Sequence, residues 1–116
     1  MKIDEKSDQK ILEIVNPIMD SLMEASTAID YQKHIEHFSQ RLRNILSKDH
    51  FEVICKKYQA EKGFFAERKI IGVYRRPSAV AVAWTQAFTK KKGEFIAEML
   101  LIQEEDKYLV DHVMVW

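Results

Sequence analysis

Residues 63 to 88 read GFFAERKIIGVYRRPSAVAVAWTQAF, and at Gly63 the spacing of apolar residues changes from the three-and-four step of a helix to strict alternation. Alternation of this kind belongs to strands. Working outward, Ala66 to Arg76, Ala79 to Lys90, Glu94 to Glu104 and Lys107 to Val115 all alternate. They are separated by Arg76-Pro-Ser, Lys90-Lys-Lys-Gly93 and Glu104-Glu-Asp-Lys107. Links this short permit only hairpins, so the four strands form an antiparallel meander.

Before Gly63 the period is helical. Ile11, Leu12, Val15, Ile18, Met19, Leu22 and Met23 form one stripe, with Pro17 inside it predicting a kink. Asp30 offers an N-cap to a second helix carrying Tyr31, Ile35, Phe38, Leu42 and Ile45, with a bend marked by Ser39. Ser47 and Asp49 precede a third, whose stripe Phe51, Ile54, Cys55 and Tyr58 stops at Gly63. The fold class is therefore α+β, with three N-terminal helices packed on a four-stranded meander, in one domain spanning residues 1–116.

Composition narrows function by exclusion. The chain has 116 residues, of which 47% are hydrophobic and 31% charged, with 3 Gly and 2 Pro, so it is neither disordered nor low-complexity. Its 18 basic and 18 acidic residues cancel, and no global field draws it to nucleic acid or an anionic membrane. The apolar runs Ala79 to Trp84 and Met99 to Ile102 are far below the ~20 residues that span a bilayer. One cysteine and a charged opening, Met1-Lys-Ile-Asp-Glu-Lys, predict a reducing, cytoplasmic setting.

Pairing the strands about their turns sorts them into two faces. One carries Ile71, Val73, Val80, Val82, Trp84, Phe88, Phe95, Met99, Leu101, Val110, Met114 and Trp116, and needs the helices as cover. The other carries Ile70, Gly72, Tyr74, Ala79, Ala81, Ala83, Leu100, Ile102, Leu109, Val113 and Val115. That is too apolar for a solvated sheet. Ala79, Ala81 and Ala83 form a flat strip ringed by Ile70, Tyr74, Leu100, Ile102 and Leu109, suited to two sheets meeting face to face, and a homodimer through the sheet is expected.

The order helix, helix, helix, four strands resembles the nuclear-transport-factor-2-like superfamily with its curved, cystatin-like sheet. The residues carrying this resemblance are Asn16-Pro-Ile-Met-Asp-Ser-Leu-Met23, Asp30-Tyr31, Phe38-Ser39, Leu46 through Phe51, Gly63 and Tyr108-Leu-Val-Asp-His-Val113. The pattern is most similar to small stand-alone bacterial members, many with no assigned function and some labelled after the non-catalytic domain preceding a penicillin-binding transpeptidase. The superfamily also includes ketosteroid isomerases and polyketide cyclases. The resemblance thus implies a cone-shaped cavity between helices and sheet, used for binding or for isomerase, cyclase or hydratase chemistry. Fold does not choose between these.

No Gly-rich phosphate loop, paired cysteines, nucleophile elbow or His-Glu-x-x-His run is present, and nothing points to a cofactor or metal. His34 and His37 lie one turn apart and could form part of a metal site, but His37 points away from the apolar stripe and His34 lies on its border, which predicts a solvated face. Cys55 falls in the third stripe as core. The Arg75-Arg76 and Lys90-Lys91-Lys92 clusters read as solubilising turns, the first beside Glu104, Glu105 and Asp106. Glu98 and Asp111 are the sheet carboxylates away from the turns, expected on the outer face with Arg68 across from Thr85 and near Glu98. A carboxylate placed there argues against isomerase chemistry, leaving His112 as the one enzymatic candidate. Gln86 and His112 are expected among Trp84, Met99 and Met114 on the covered face, where with Tyr108 they would line a pocket for a small apolar ligand. The expectation is a non-enzymatic dimeric binding module, with no catalytic residue assigned.

Overall fold

The computed structural model describes all residues, Met1 to Trp116. After a 3-10 turn at Ile3–Glu5 come α1 (Asp8–Ala28), α2 (Tyr31–His34), α3 (Gln40–Ile45) and α4 (Lys48–Lys62). The strands β1 (Phe65–Arg76), β2 (Ala79–Phe88), β3 (Phe95–Glu104) and β4 (Lys107–Val115) follow. The sheet is antiparallel in the order β1-β2-β3-β4, the expected α+β meander under helices.

Side-chain caps start the helices where the sequence places them. The hydroxyls of Ser7, Ser39 and Ser47 and the Asp30 carboxylate accept from backbone N–H groups in the first turns of α1, α3, α4 and α2. α1 runs unbroken through Pro17, which faces solvent. Gly63 ends α4 at φ +85, where a Cβ would stand 2.8 Å from that of Lys90.

Two departures from the sequence reading matter. The expected second helix is two short ones, because residues 35–39 leave the helical path to pair with β4. Phe38 bridges Val110, with the Ser39 N–H donating to Val110 O (2.9 Å) and the Val110 N–H to His37 O (2.7 Å). An edge strand's free backbone groups competed successfully with helix propagation.

The second departure is the register. β2 and β3 alternate as expected, with Val80, Val82, Trp84, Gln86 and Phe88 turned to the helices opposite Leu101, Met99, Ala97 and Phe95. β1 and β4 contain bulges, each of which adds one residue and reverses the alternation beyond it. In β4, Leu100 faces His112 but Leu101 faces Val110, leaving Asp111 as the extra residue. Val113 and Val115 therefore pack on the core, and His112, Met114 and Trp116 move to the outer face, the reverse of the expectation. In β1, a bulge between Ile70 and Gly72 sets Ile70 opposite Trp84 rather than among the alanines, so Ile70 leaves the expected dimer surface. A further bulge sets Arg68 across from Gln86, not Thr85. Arg68 turns away from Glu98, lies over the Trp84 ring and pairs with Asp20 of α1 at 2.7 Å. Arg75, expected beside the third turn's acids, pairs with Asp8 of α1 at 2.6 Å.

The core lies between α1 and the sheet, around Ile11, Val15, Met19, Val80, Val82, Met99, Leu101 and Val110, with Ile3 sealing one end. Its 3-10 turn is held by the Ile3 N–H donating to Gln103 Oε1 (2.7 Å).

Candidate functional site

α4 contacts the sheet mainly through its C-terminal half, and between it, α1, α3 and the β4 edge a cleft of about 590 Å³ remains, open on one side. That volume is in the range of small-molecule sites. Along α4 one face supplies His50, Phe51, Ile54, Cys55, Tyr58 and Lys62. α1 adds Met19, Leu22, Met23 and Ser26, α3 and its flanks Arg41, Leu42, Ile45 and Leu46, and the strands Phe65, Phe88, Val113 and Val115. Large apolar side chains stand exposed at the mouth, Ile45 at 62% and Ile54 at 43%. The Tyr31 hydroxyl donates to Leu46 O (2.6 Å) and fixes the α3–α4 connection that frames the opening.

Three polar features interrupt the apolar lining. His34 stacks 4.5 Å from the Phe51 ring and meets Phe38 edge-on at 5.3 Å, with Nδ1 3.2 Å from Leu22 O. Burial lowers its pKa from 6.5 to about 4, outweighing the carbonyl contact, so at neutral pH the ring is uncharged. Nδ1–H then donates to Leu22 O, and Nε2 is left as an acceptor. The second feature is Ser26, whose hydroxyl lies 2.7 Å from Tyr58 Oη and 3.5 Å from Cys55 Sγ. Burial pushes the Cys55 thiol up, against the Ser26 contact, so it stays protonated. The third is cationic. Arg41 is committed to Asp111, through Nε at 3.0 Å from the carboxylate and a bond to its carbonyl, while Lys62 has no carboxylate partner. No Asp or Glu lines the cleft.

Asp111, the bulge residue, ties β4 to α3. It accepts from Ser39 Oγ (2.7 Å) as well as Arg41. Burial alone would raise its carboxyl, but these hydrogen bonds and the charges of Arg41 and His112 hold it below its usual 3.8.

The expected pocket residues are dispersed. Trp84 (2% exposed), Gln86 and Met99 are packed in the core and do not reach the cleft, and Tyr108 packs against the core from β4. Gln86 stitches the first β1 bulge: its Nε2 donates to Ala66 O (3.1 Å) and Ala87 O (2.9 Å), leaving Oε1 buried with no partner. Only His112 and Met114 border the cleft, from the β4 edge, and the His112 ring turns outward to Glu98 at 3.3 Å. His34, expected on a solvated face, instead forms a wall of the cleft. Its position at the border of the helical stripe was the available signal. Ser26 and Tyr58 gave no signal of their own, because a polar residue among apolar helix positions looks the same in a core and in a cleft.

On the outer face, Ala81 and Ala83 lie beside Tyr74, Leu100, Glu98 and His112 around a shallow groove of about 300 Å³. Tyr74 is 55% exposed and leans over Gly72, whereas Ala79 is already buried. Glu98 accepts from Trp116 Nε1 as well as facing His112. No three metal-ligating side chains converge anywhere.

No protein-family model matches this chain, and no curated protein does. Solved structures share its fold. An NTF2-like designed protein superposes with TM-score 0.63 at 8% identity, over 90% of this chain and 97% of that one. A SEC-C motif containing protein from Rhodopseudomonas palustris gives 0.60 at 15% identity, over 84% and 74%. A protein from Thiobacillus denitrificans described as a calcium/calmodulin-dependent protein kinase type II association domain gives 0.58 at 10%, over 84% and 90%. At these identities the likeness is one of fold, and the fold is nuclear-transport-factor-2-like.

Proposed function

We propose that this chain is a non-enzymatic binding module that holds a small, mainly apolar molecule in the cleft between α4, α1 and the β4 edge. The observation carrying this is the lining, in which 16 of 22 residues are hydrophobic around about 590 Å³. The same lining argues against isomerase or cyclase chemistry, because burial makes His34 a weak base, the Cys55 thiol is protonated and no carboxylate is there to move a proton. The test is titration with a neutral apolar fluorophore, N-phenylnaphthylamine, expected to bind one per chain. Ile54→Asp sets a carboxylate at the exposed mouth and should weaken binding at least about tenfold, a cost typical of desolvating a charge. Absence of saturable binding, or binding indifferent to Ile54→Asp, overturns the reading.

A specific observation favours homodimerisation as well. The outer face presents the small Ala81 and Ala83 beside Leu100, Ile102, Leu109 and the exposed Tyr74, Met114 and Trp116, a surface suited to a second sheet. Light scattering on a sizing column should give a dimer, and Ala81→Glu with Leu100→Arg a folded monomer. A wild-type monomer at micromolar concentration refutes this. The single, buried Cys55 supports a reducing, cytoplasmic setting.

A further inference from the structure

The cleft is electrically lopsided. Its charged lining residues are all cations, and Arg41 is neutralised by Asp111. That leaves Lys62, half-buried at the last turn of α4, with Nζ 4.9 Å from the centre of the Phe95 ring and 5.6 Å from that of Phe88. No carboxylate pairs with it, whereas Arg68 and Arg75 of β1 each hold an aspartate of α1. An ammonium so placed has given up part of its water shell for two aromatic faces.

The end of α4 that carries Lys62 is also anchored to the β2–β3 turn. The backbone N–H groups of Lys90 and Lys91 donate to Lys62 O (2.9 and 3.2 Å), and Lys90 Nζ donates to Ala60 O (2.6 Å). The backbone of the turn Lys90-Lys91-Lys92 is thus fastened to this end of α4. Solubility alone does not require a lysine turn to be bonded to the helix whose side chains line the cleft.

The opposite end is walled by aromatic rings, and its one cation, Arg41, is already paired with Asp111. Phe51 and His34 stand there, about 16 Å from Lys62 by the rise of the eleven intervening helical steps. Between them the α4 face offers Ile54, Cys55 and Tyr58.

We propose that the molecule held in the cleft is an amphipathic anion, an aliphatic carboxylate whose chain lies along α4 and whose head group meets the Lys62 ammonium. This rests on the cleft being a ligand site. Charge complementarity selects the head group, and the run of apolar side chains from Phe51 to Tyr58 selects the tail.

Calorimetric titration of the full chain with dodecanoate, dodecanol and dodecylamine, each kept below its aggregation threshold, separates the two claims. Dodecanoate should bind at least about tenfold tighter than dodecanol, the usual worth of one charge-assisted contact, and dodecylamine weakest. Lys62→Met should bring dodecanoate down to the affinity of dodecanol while leaving dodecanol unchanged, and Lys62→Arg should keep the preference. Melting curves confirm that both variants fold. Equal binding of acid and alcohol, or a Lys62→Met loss that falls on both, overturns the head-group assignment and leaves the cleft reading intact. Binding of none of the three overturns both.

Discussion

Acidification from about pH 7.5 to about pH 4.5 should destabilise this protein chiefly through His34. Its folded pKa is about 4 and its ordinary value 6.5. The unfolded chain therefore binds a proton in this window that the folded chain refuses, and stability falls as pH falls through it. Integrating the linkage gives a loss of about 1.4 kcal/mol by pH 5.5 and about 2.5 kcal/mol by pH 4.5, a large share of the ~5–15 kcal/mol typical of a domain. The variant to compare is His34→Phe, which keeps a ring against Phe51 and Phe38 and removes the titrating group. Urea unfolding across this pH range should show the wild type losing that amount and the variant losing little of it. Below about pH 4, both should weaken together as Asp111, held low by Ser39 and Arg41, takes its proton. An NMR titration placing the His34 pKa near 6.5, or an acid loss in His34→Phe equal to that of wild type, refutes the burial argument.

Other outcomes follow from single contacts. Gln86→Leu should cost about 1 kcal/mol in urea melts, since it removes the amide's bonds to the Ala66 and Ala87 carbonyls, with part of the loss returned by removing the orphaned Oε1. Ser39→Ala should cost about 1–2 kcal/mol, because one hydroxyl both caps α3 and donates to Asp111. A double-mutant cycle with Asp111→Asn should return a coupling above about 0.5 kcal/mol, and additive losses would show the pair to be independent. Pro17→Ala should stabilise by at least about 1 kcal/mol in thermal melts, as the exposed proline denies its helix one backbone bond.

The architecture was legible because Gly63 separates two periods, and because turns such as Arg76-Pro-Ser permit only hairpins. The faces of β2 and β3 follow from alternation alone, which is why the alanine strip and the burial of Trp84 could be read directly. Bulges are a different matter. Nothing in Val110-Asp111-His112 announces an extra residue, since what stabilises it, Ser39 and Arg41, is some seventy positions away. The pocket was misplaced for the same reason. A buried amide needs partners, and Gln86 takes them from backbone carbonyls at another bulge rather than from a ligand. The cleft belongs to helix side chains whose apolar spacing is identical whether they meet a sheet or a void.

The bulge at Asp111 behaves as a phase shift in the strand, much as an inserted base shifts a reading frame. Everything downstream, from His112 to Trp116, owes its side of the sheet to one supernumerary residue. Substitutions at position 111 disturb a local clamp, but deletion of that single residue would transpose the whole terminal segment. Val113 and Val115 would turn outward, and His112, Met114 and Trp116 would be pressed against α1 and the cleft wall. Length at this point in the strand is therefore under tighter constraint than residue identity, and a homologous chain one residue shorter here would need its final residues rewritten in the opposite alternation to keep the same interior.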